Sequence, residues 1–139
     1  MSYKYRKAKR LRCNKILEIL FTQFHERVEK SMPDKFFVPL FGPIKVNNHV
    51  ENQEYLGSIT TLLKNGHIEF NKEMDHIAIT ATGVEEYKEG FYIVENRKDY
   101  LAEIEKYTKW IFPIITVVIS VMALLLSLAT FFSTLHSKL

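Results

Sequence analysis

An apolar stretch near the C-terminus contains no charged residue, and it limits the folds open to this chain more than any other part of the sequence. It covers 26 residues, from Trp110 to Leu135. At the ~1.5 Å rise per residue of an α-helix this length covers ~39 Å, enough to cross a ~30 Å hydrocarbon core with some tilt. A soluble domain that surrounded such a helix would have to be much larger than the domain that the preceding residues can form. The sequence therefore predicts a transmembrane helix over 110–135, with Pro113 in its first turn, where a missing N–H costs little.

Residues at the two ends of this segment predict how it sits in a bilayer. Tyr107, Lys109 and Trp110 are predicted membrane-interface anchors, because aromatic rings and lysines favour that zone. Basic residues near the segment are more numerous before it (Arg97, Lys98, Lys106 and Lys109) than after it (Lys138). The positive-inside bias then predicts a single-pass protein with a cytoplasmic N-terminal domain. We expect residues 136–139 to be a short tail on the far side, with no domain there.

Small or hydroxyl-bearing residues recur along one face of the predicted transmembrane helix. They are Thr116, Ser120, Ala123, Ser127, Thr130 and Thr134, at steps of four and three. Small residues let two helix backbones approach closely, and hydroxyls can bond across the contact. This stripe predicts self-association or docking on a partner's transmembrane helix. The alternative is that Ser and Thr are tolerated there because they bond the carbonyl four residues earlier.

Charge is unevenly distributed along the rest of the chain. Residues 1–15 carry seven basic side chains and no acidic one: Lys4, Arg6, Lys7, Lys9, Arg10, Arg12 and Lys15. Residues 16–109 carry 11 basic and 16 acidic side chains. A basic N-terminal arm, residues 1–14, on an acidic body predicts contact with a polyanion, either lipid headgroups or nucleic acid. The alternative is a solubilising, disordered tail.

Cysteine content and the N-terminus indicate the compartment. Cys13 is the single cysteine, so an internal disulfide framework is excluded and a reducing cytosol is expected. We expect this thiol to be unreactive. The basic N-terminus lacks an apolar core of 7–15 residues, which argues against a secretory signal peptide.

Hydrophobic periodicity predicts two longer helices before the membrane segment. The first, about 15–30, has Asn14 as N-cap and an apolar face of Ile16, Leu17, Leu20, Phe21, Phe24 and Val28. Residues 31–47 contain three prolines and are predicted to be mostly irregular, with a short helix over 34–41 as an option. The second helix begins near Asn48, with Glu51 completing a capping box, and ends at Asn65-Gly66. Its predicted buried stripe is Tyr55, Leu56, Ile59, Leu62 and Leu63.

A β-hairpin, a short helix and a polar stalk are predicted to follow. Pairing Ile68 with Ile79 and Phe70 with Ile77 puts the apolar side chains on one face of the hairpin. Thr80 or Thr82 then caps a short helix that Gly90 closes. Residues 93–109 are predicted to form a juxtamembrane helical stalk.

Two of these motifs carry a family resemblance. The run Leu62-Leu63-Lys64-Asn65-Gly66, the hairpin, and then Ile79-Thr80-Ala81-Thr82-Gly83 opening a helix resemble winged helix-turn-helix regulators over about residues 15–92. The resemblance implies a mostly α fold with a small β-hairpin (an α+β winged-helix-like domain), here followed by one C-terminal transmembrane helix. It also implies that the helix over about 49–65 reads DNA. Because that helix has Glu51 and Glu54 in its first turns and no arginine, phosphate repulsion favours protein contact instead.

Motifs for catalysis are missing from the sequence. It has no Gly-rich phosphate loop, no G-x-S-x-G, no H-E-x-x-H and no C-x-x-C. His67 and His76 fall at opposite ends of their strands, too far apart to share a metal ion. We therefore expect no catalytic, cofactor or metal site, and no enzyme.

Three functional hypotheses follow from these observations. The leading one is a single-pass, membrane-anchored protein-interaction module that oligomerises through its transmembrane helix. Its expected partners are membrane lipid, a second copy or a partner's transmembrane helix, and a cytosolic protein of unknown identity. The alternatives are a membrane-bound DNA-binding transcription regulator and a small membrane-active effector or toxin.

Overall fold

The structure is a computed structural model, and it describes residues 1–29 and 37–139. In chain order the elements are α1 (Tyr3–Glu29), β1 (Val38–Pro39), α2 (His49–Lys64), β2 (Ile68–Asn71), β3 (His76–Ile79), α3 (Ala81–Lys88) and α4 (Phe91–Lys138). The chain forms two compact units, Met1–Asp99 and Tyr100–Leu139. The described part is mostly helical with a small antiparallel sheet, which confirms the predicted fold class in this coarser form.

Helix α1 is longer than the sequence predicts. It begins at Tyr3, and the prediction that Asn14 caps it is wrong because Asn14 lies inside the helix. Residues 3–14 are rich in Lys, Arg, Ala and Leu, which favour helix, and contain no Gly or Pro. Cys13 is only 1 % exposed. The predicted separate arm is therefore the first part of a helix that joins the core at Cys13. The predicted end at Lys30 lies outside the described residues.

Helix α2 is capped as its sequence predicts. The Asn48 side chain accepts a hydrogen bond from the Glu51 N–H at 2.9 Å. The Glu51 carboxylate in turn accepts from the Asn47 N–H, one residue before the cap, at 2.9 Å. The helix ends at Lys64, and Gly66 adopts a positive φ of 72° that allows the chain to turn back. The prediction of both ends is confirmed.

The sheet contains the predicted hairpin and one strand that the sequence does not reveal. Strands β2 and β3 pair antiparallel with Ile68 opposite Ile79 and Phe70 opposite Ile77, which confirms the predicted register in both pairs. The third strand, β1, pairs with β3 in the order β1-β3-β2. The described part of the optional 34–41 helix is thus strand and turn. Two residues, one of them an edge proline, are too few to show an alternating pattern.

Helix α3 is fixed to the end of α2 by Thr80. The Thr80 hydroxyl accepts from the Gly83 N–H at 3.0 Å and donates to the Gly66 carbonyl at 2.6 Å. Of the two predicted caps, Thr80 is therefore correct and Thr82 lies inside α3. Gly83 packs directly against the backbone of His67, the residue before β2. A Cβ added at Gly83 would lie 2.0 Å from the His67 carbonyl oxygen.

The core of residues 1–99 lies between α1, α2, the sheet and the start of α4. Its buried apolar members include Ile16, Leu17, Leu20, Tyr55, Ile59, Leu62, Ile68, Ile77 and Tyr92. In the α2 stripe, Ser58 occupies a buried position, while Leu56 and Leu63 are exposed, contrary to the prediction. Ser58 can be buried because its hydroxyl donates to the Glu54 carbonyl at 3.0 Å. On α1, Val28 is also exposed, at variance with the predicted face.

The second unit, Tyr100–Leu139, is helical to Lys138. The predicted stalk and the predicted transmembrane segment belong to one helix, α4. Pro113 therefore lies in the interior of a helix, and its predicted place in a first turn is wrong. Without an N–H it cannot bond the Lys109 carbonyl, which leaves a weak point in the backbone ladder. Every residue from Trp110 to Leu135 is exposed.

Candidate interaction surfaces

Three arginines of α1 are paired inside the first unit. Arg6 Nε donates to Asp99 Oδ2 at 2.8 Å, and Arg10 Nη1 donates to the same oxygen at 2.6 Å. Hydrogen bonds from Arg6, then from Arg10, lower the pKa of Asp99 to about 2. Two arginines four residues apart on a helix face can hold one carboxylate. The start of α4 is thereby tied to the start of α1.

The third pair joins α1 to the first turns of α2. Arg12 Nη2 donates to Glu54 Oε2 at 2.9 Å, with both side chains partly exposed. One of the two carboxylates that the sequence places on the predicted reading helix is thus neutralised within the fold. The other, Glu51, is engaged at the helix cap.

These pairs divide the predicted polyanion-binding set. Arg6, Arg10 and Arg12 are engaged internally, and Lys15 pairs with Glu18 one turn away at 2.9 Å. Within residues 1–29 and 37–139, Lys4, Lys7 and Lys9 have no ion pair. A contact between this end of α1 and a polyanion stays a prediction that rests on these three lysines.

A small cavity lies beside the Arg6–Asp99–Arg10 cluster. Its volume is about 250 Å³, and it is bordered by Arg6, Lys9 and Arg10 on one side and by Asn65, Phe91 and Tyr92 on another. The Cys13 thiol also faces it. Burial raises the pKa of Cys13 to about 11, so the thiol is protonated and unreactive at neutral pH. This agrees with the expectation from the sequence.

Next to the cavity is a buried polar group that the sequence does not reveal. The Tyr92 hydroxyl accepts from Asn65 Nδ2 at 3.2 Å and lies 3.0 Å from His67 Nδ1. Burial lowers the pKa of His67, so its imidazole is neutral and can accept the Tyr92 proton at Nδ1. Burial also raises the pKa of Tyr92 to about 12. The group holds the end of α2, the start of β2 and the start of α4 together.

The outward side of α2 is mixed rather than cationic. Its exposed side chains include His49, Gln53, Leu56, Thr60 and Leu63, which follow each other at steps of four and three. Two of the five are leucines, and none carries the charge or the arginine fork that contacts phosphates and guanine edges. This face suits a protein better than a nucleic acid.

The stripe predicted for transmembrane association lies on an exposed helix in the second unit. The hydroxyls of Thr116, Ser120, Ser127, Thr130 and Thr134 each donate to the carbonyl four residues earlier, at 2.8–2.9 Å. These are the backbone hydrogen bonds that the alternative explanation requires, and they form without a second helix. Ala123, in the middle of the stripe, is its smallest residue. The predicted interface anchors Tyr107, Lys109 and Trp110 are all exposed.

Metal ligands do not cluster in the part of the chain that the structure describes. No group of three His, Cys, Asp or Glu side chains there could hold a metal ion. His67 is buried against Tyr92, whereas His76 bonds the Met74 carbonyl in the hairpin loop. No protein-family model, curated protein or solved structure matches the chain.

Proposed function

We propose that the chain is a single-pass membrane protein whose first 99 residues form a cytosolic protein-interaction module. The observation that carries this proposal is the apolar part of α4, which is long enough to span a bilayer and of which none is buried. In a soluble protein, side chains from other elements would cover the surface of such a helix. Exposing so many large apolar side chains to water is strongly unfavourable, so lipid is the solvent that fits them.

The orientation is proposed from charge. Arg97, Lys98, Lys106 and Lys109 precede the apolar segment, and only Lys138 follows it. The positive-inside bias favours a cytoplasmic first unit. A reducing cytosol also suits a protein whose single thiol is kept protonated by burial.

Self-association through the small-residue stripe is the second part of the proposal. Because the five hydroxyls already bond their own backbone, close backbone packing around Ala123 is the main contribution we expect, rather than interhelical hydrogen bonds. Replacing Ala123 by isoleucine would keep the helices apart. Ala129 offers a matched control, since it lies about 120° around the helix from Ala123.

We propose that the first unit has a winged-helix-like fold. The sheet order β1-β3-β2, with a hairpin after α2, supports it. One feature departs from a helix-turn-helix: between β1 and β2, a stretch that the structure describes completely, α2 is the single helix. The helix that directly precedes the reading helix in a helix-turn-helix has no counterpart between β1 and α2, and leucines lie on the outer side of α2. Both features favour protein contact over DNA binding.

Membrane extraction and crosslinking of the full-length chain test both parts. We expect the protein to stay in the pellet after an alkaline carbonate wash and to dissolve only in detergent. In mild detergent we expect a crosslinked oligomer that A123I reduces at least about fivefold and A129I leaves unchanged. Release of the protein by carbonate would overturn the membrane assignment. Equal effects of A123I and A129I on the crosslinked oligomer would overturn self-association through the small-residue stripe.

DNA binding by the same chain is the alternative, and Lys4, Lys7 and Lys9 are the observation that favours it. A gel shift of the detergent-solubilised protein separates the two functions. Sequence-specific binding that weakens steeply with salt would favour the regulator. Binding to a random duplex alone, or none, is the result that the interaction module predicts.

A further inference from the structure

We propose that the cavity among α1, α2 and α4 in residues 1–99 is a binding site for a small organic phosphate or carboxylate with an aromatic or apolar group. Nothing in this proposal depends on the membrane segment. It rests on the size of the cavity, its charge, and the different character of its two sides.

The size suits a small ligand. The volume of about 250 Å³ lies just below the ~300–1,000 Å³ typical of sites for drug-sized molecules. A single substituted ring would fill most of it, whereas a dinucleotide would not fit. The Cys13 thiol, which is nearly inaccessible, faces the same space.

The charge favours an anion. Three cations, Arg6, Lys9 and Arg10, border the cavity. Two carboxylates lie near these cations: Asp99, which both arginines hold, and Glu95, which pairs with Lys98 at 3.1 Å. Lys9 is the bordering cation without an ion pair among the described residues, so its ammonium is left to bind a ligand. Asp99 fixes Arg10 in place, so the remaining N–H groups of Arg10 are presented without further ordering, while Arg6 adds its positive charge.

The residues that the end of α2 and the start of α4 contribute to the cavity are aromatic and polar. Phe91 and Tyr92 lie with ring centroids 5.0 Å apart in an edge-to-face arrangement. Asn65 donates to the Tyr92 hydroxyl, and Tyr92 in turn is held by His67, so the wall is preorganised. A ring of the ligand can pack there while its anionic group reaches Lys9.

The C-terminal end of α2 and the N-terminal end of α4 border the cavity, and their helix dipoles act on a bound anion in opposite directions. The negative C-terminal end of α2 would disfavour an anion, but its last carbonyls are occupied by the N–H groups of Asn65, Gly66 and His67. The positive N-terminal end of α4 is formed by Phe91 and Tyr92 themselves. The balance of the two ends therefore favours negative charge.

Phenyl phosphate is the probe that matches this chemistry, and neutral phenol and inorganic phosphate test its two halves. Phenyl phosphate and phenol are titrated into the full-length protein in phosphatidylcholine nanodiscs, with saturation-transfer NMR as the binding readout. Inorganic phosphate, which has no carbon-bound proton to observe, is titrated as a competitor of phenyl phosphate. We expect saturable binding of phenyl phosphate, at least about tenfold tighter than either half, since charge and ring both contribute. The rate of Cys13 alkylation by N-ethylmaleimide should fall when phenyl phosphate is bound.

Lys9→Gln and Lys7→Gln are the matched variants, because Lys7 lies on the opposite side of α1 and is also unpaired. Losing one charge-assisted contact should weaken phenyl phosphate about tenfold in K9Q and less than about twofold in K7Q. Equal weakening by both variants would reduce the effect to general surface charge and overturn the site. So would the absence of saturable phenyl phosphate binding by the wild type, a result that needs no variant to fold.

The anionic group could come from a free metabolite or from a lipid headgroup. Repeating the titration in nanodiscs that contain phosphatidylglycerol distinguishes these sources. Competition that disappears in K9Q identifies the headgroup as the natural ligand. Unchanged affinity supports the same site with a free ligand.

Discussion

Gly83 offers the sharpest test of the packing between α3 and the sheet. A Cβ added there would lie 2.0 Å from the His67 carbonyl oxygen and 2.9 Å from its carbonyl carbon. An ordinary carbon-to-oxygen contact is ~3.3 Å or longer, so Gly83→Ala has to move α3 away from the His67 backbone by more than ~1 Å. That carbonyl also accepts from the Thr80 N–H at 3.0 Å, a bond that the movement would stretch.

The magnitude follows from opposing contributions. Overpacking against backbone costs ~1–3 kcal/mol, and a weakened hydrogen bond adds ~0.5–1.5 kcal/mol. Alanine in place of glycine in a helix returns up to ~1 kcal/mol. We expect G83A to lower the free energy of unfolding by ~1–2 kcal/mol, which raises the unfolded fraction about 5- to 30-fold.

Gly57→Ala is the matched control. Gly57 lies inside α2, and nothing comes within 4 Å of a Cβ built on it. The same substitution should therefore stabilise the fold by ~0.5–1 kcal/mol through helix propensity alone.

The single buried cysteine supplies the assay. Alkylation of Cys13 in native protein requires opening of the core, and its rate follows the open population when closing is faster than labelling. We expect labelling about 5- to 30-fold faster in G83A and about two- to fivefold slower in G57A. Equal changes in both variants would refute the close contact between Gly83 and the His67 backbone.

Other predictions concern the core and its charges. Leu62→Ala should cost ~2–5 kcal/mol in chemical unfolding, because Leu62 is fully buried, whereas Leu56→Ala on the exposed side should cost less than ~0.5 kcal/mol. Burial lowers the pKa of His67 below its unfolded value of ~6.5, so the unfolded chain binds a proton more readily than the folded protein. The free energy of unfolding should therefore fall as the pH drops below ~6.5, and an unfolding profile that stays flat from about pH 7 to 5 would contradict this. The contribution of Asp99 should be complete above its unfolded pKa of ~4 and lost as pH falls toward about 2, and Asp99→Asn should abolish this dependence in acid-unfolding titrations.

The sequence predicts elements well where a local pattern determines them. Asn48 and Glu51 locate the start of α2, and the alternation around Phe70 and Ile77 sets the hairpin register, because caps and pleats act over a few residues. The start of α1 is mispredicted for the same reason: Asn14 is a good cap by type, but helix formers continue on both sides of it. Strand β1 depends on pairing with a distant strand and has no local pattern of its own.

The tertiary partners of charged and polar residues are the main features that sequence cannot supply. Arg6 and Arg10 share a helix face, but the carboxylate that they hold belongs to Asp99, which is 89 residues beyond Arg10. Tyr92 and His67 look like unrelated residues until the fold brings them to 3.0 Å. Because of such contacts, the predicted N-terminal arm is a helix bound to the first unit. Of its seven predicted polyanion-binding cations, three lysines have no ion pair among the described residues.

The depth of tryptophan in the bilayer shows whether α4 crosses the membrane. Trp110 is the single tryptophan, and Met122 lies twelve residues further along α4, about 18 Å at helical rise. Brominated lipids that quench at defined depths can be compared for the wild type and for M122W in a W110F background. A spanning helix predicts shallow quenching for Trp110 and quenching near the bilayer centre for M122W. Equal, shallow depths for both would mean that the helix lies along the surface and does not cross the membrane.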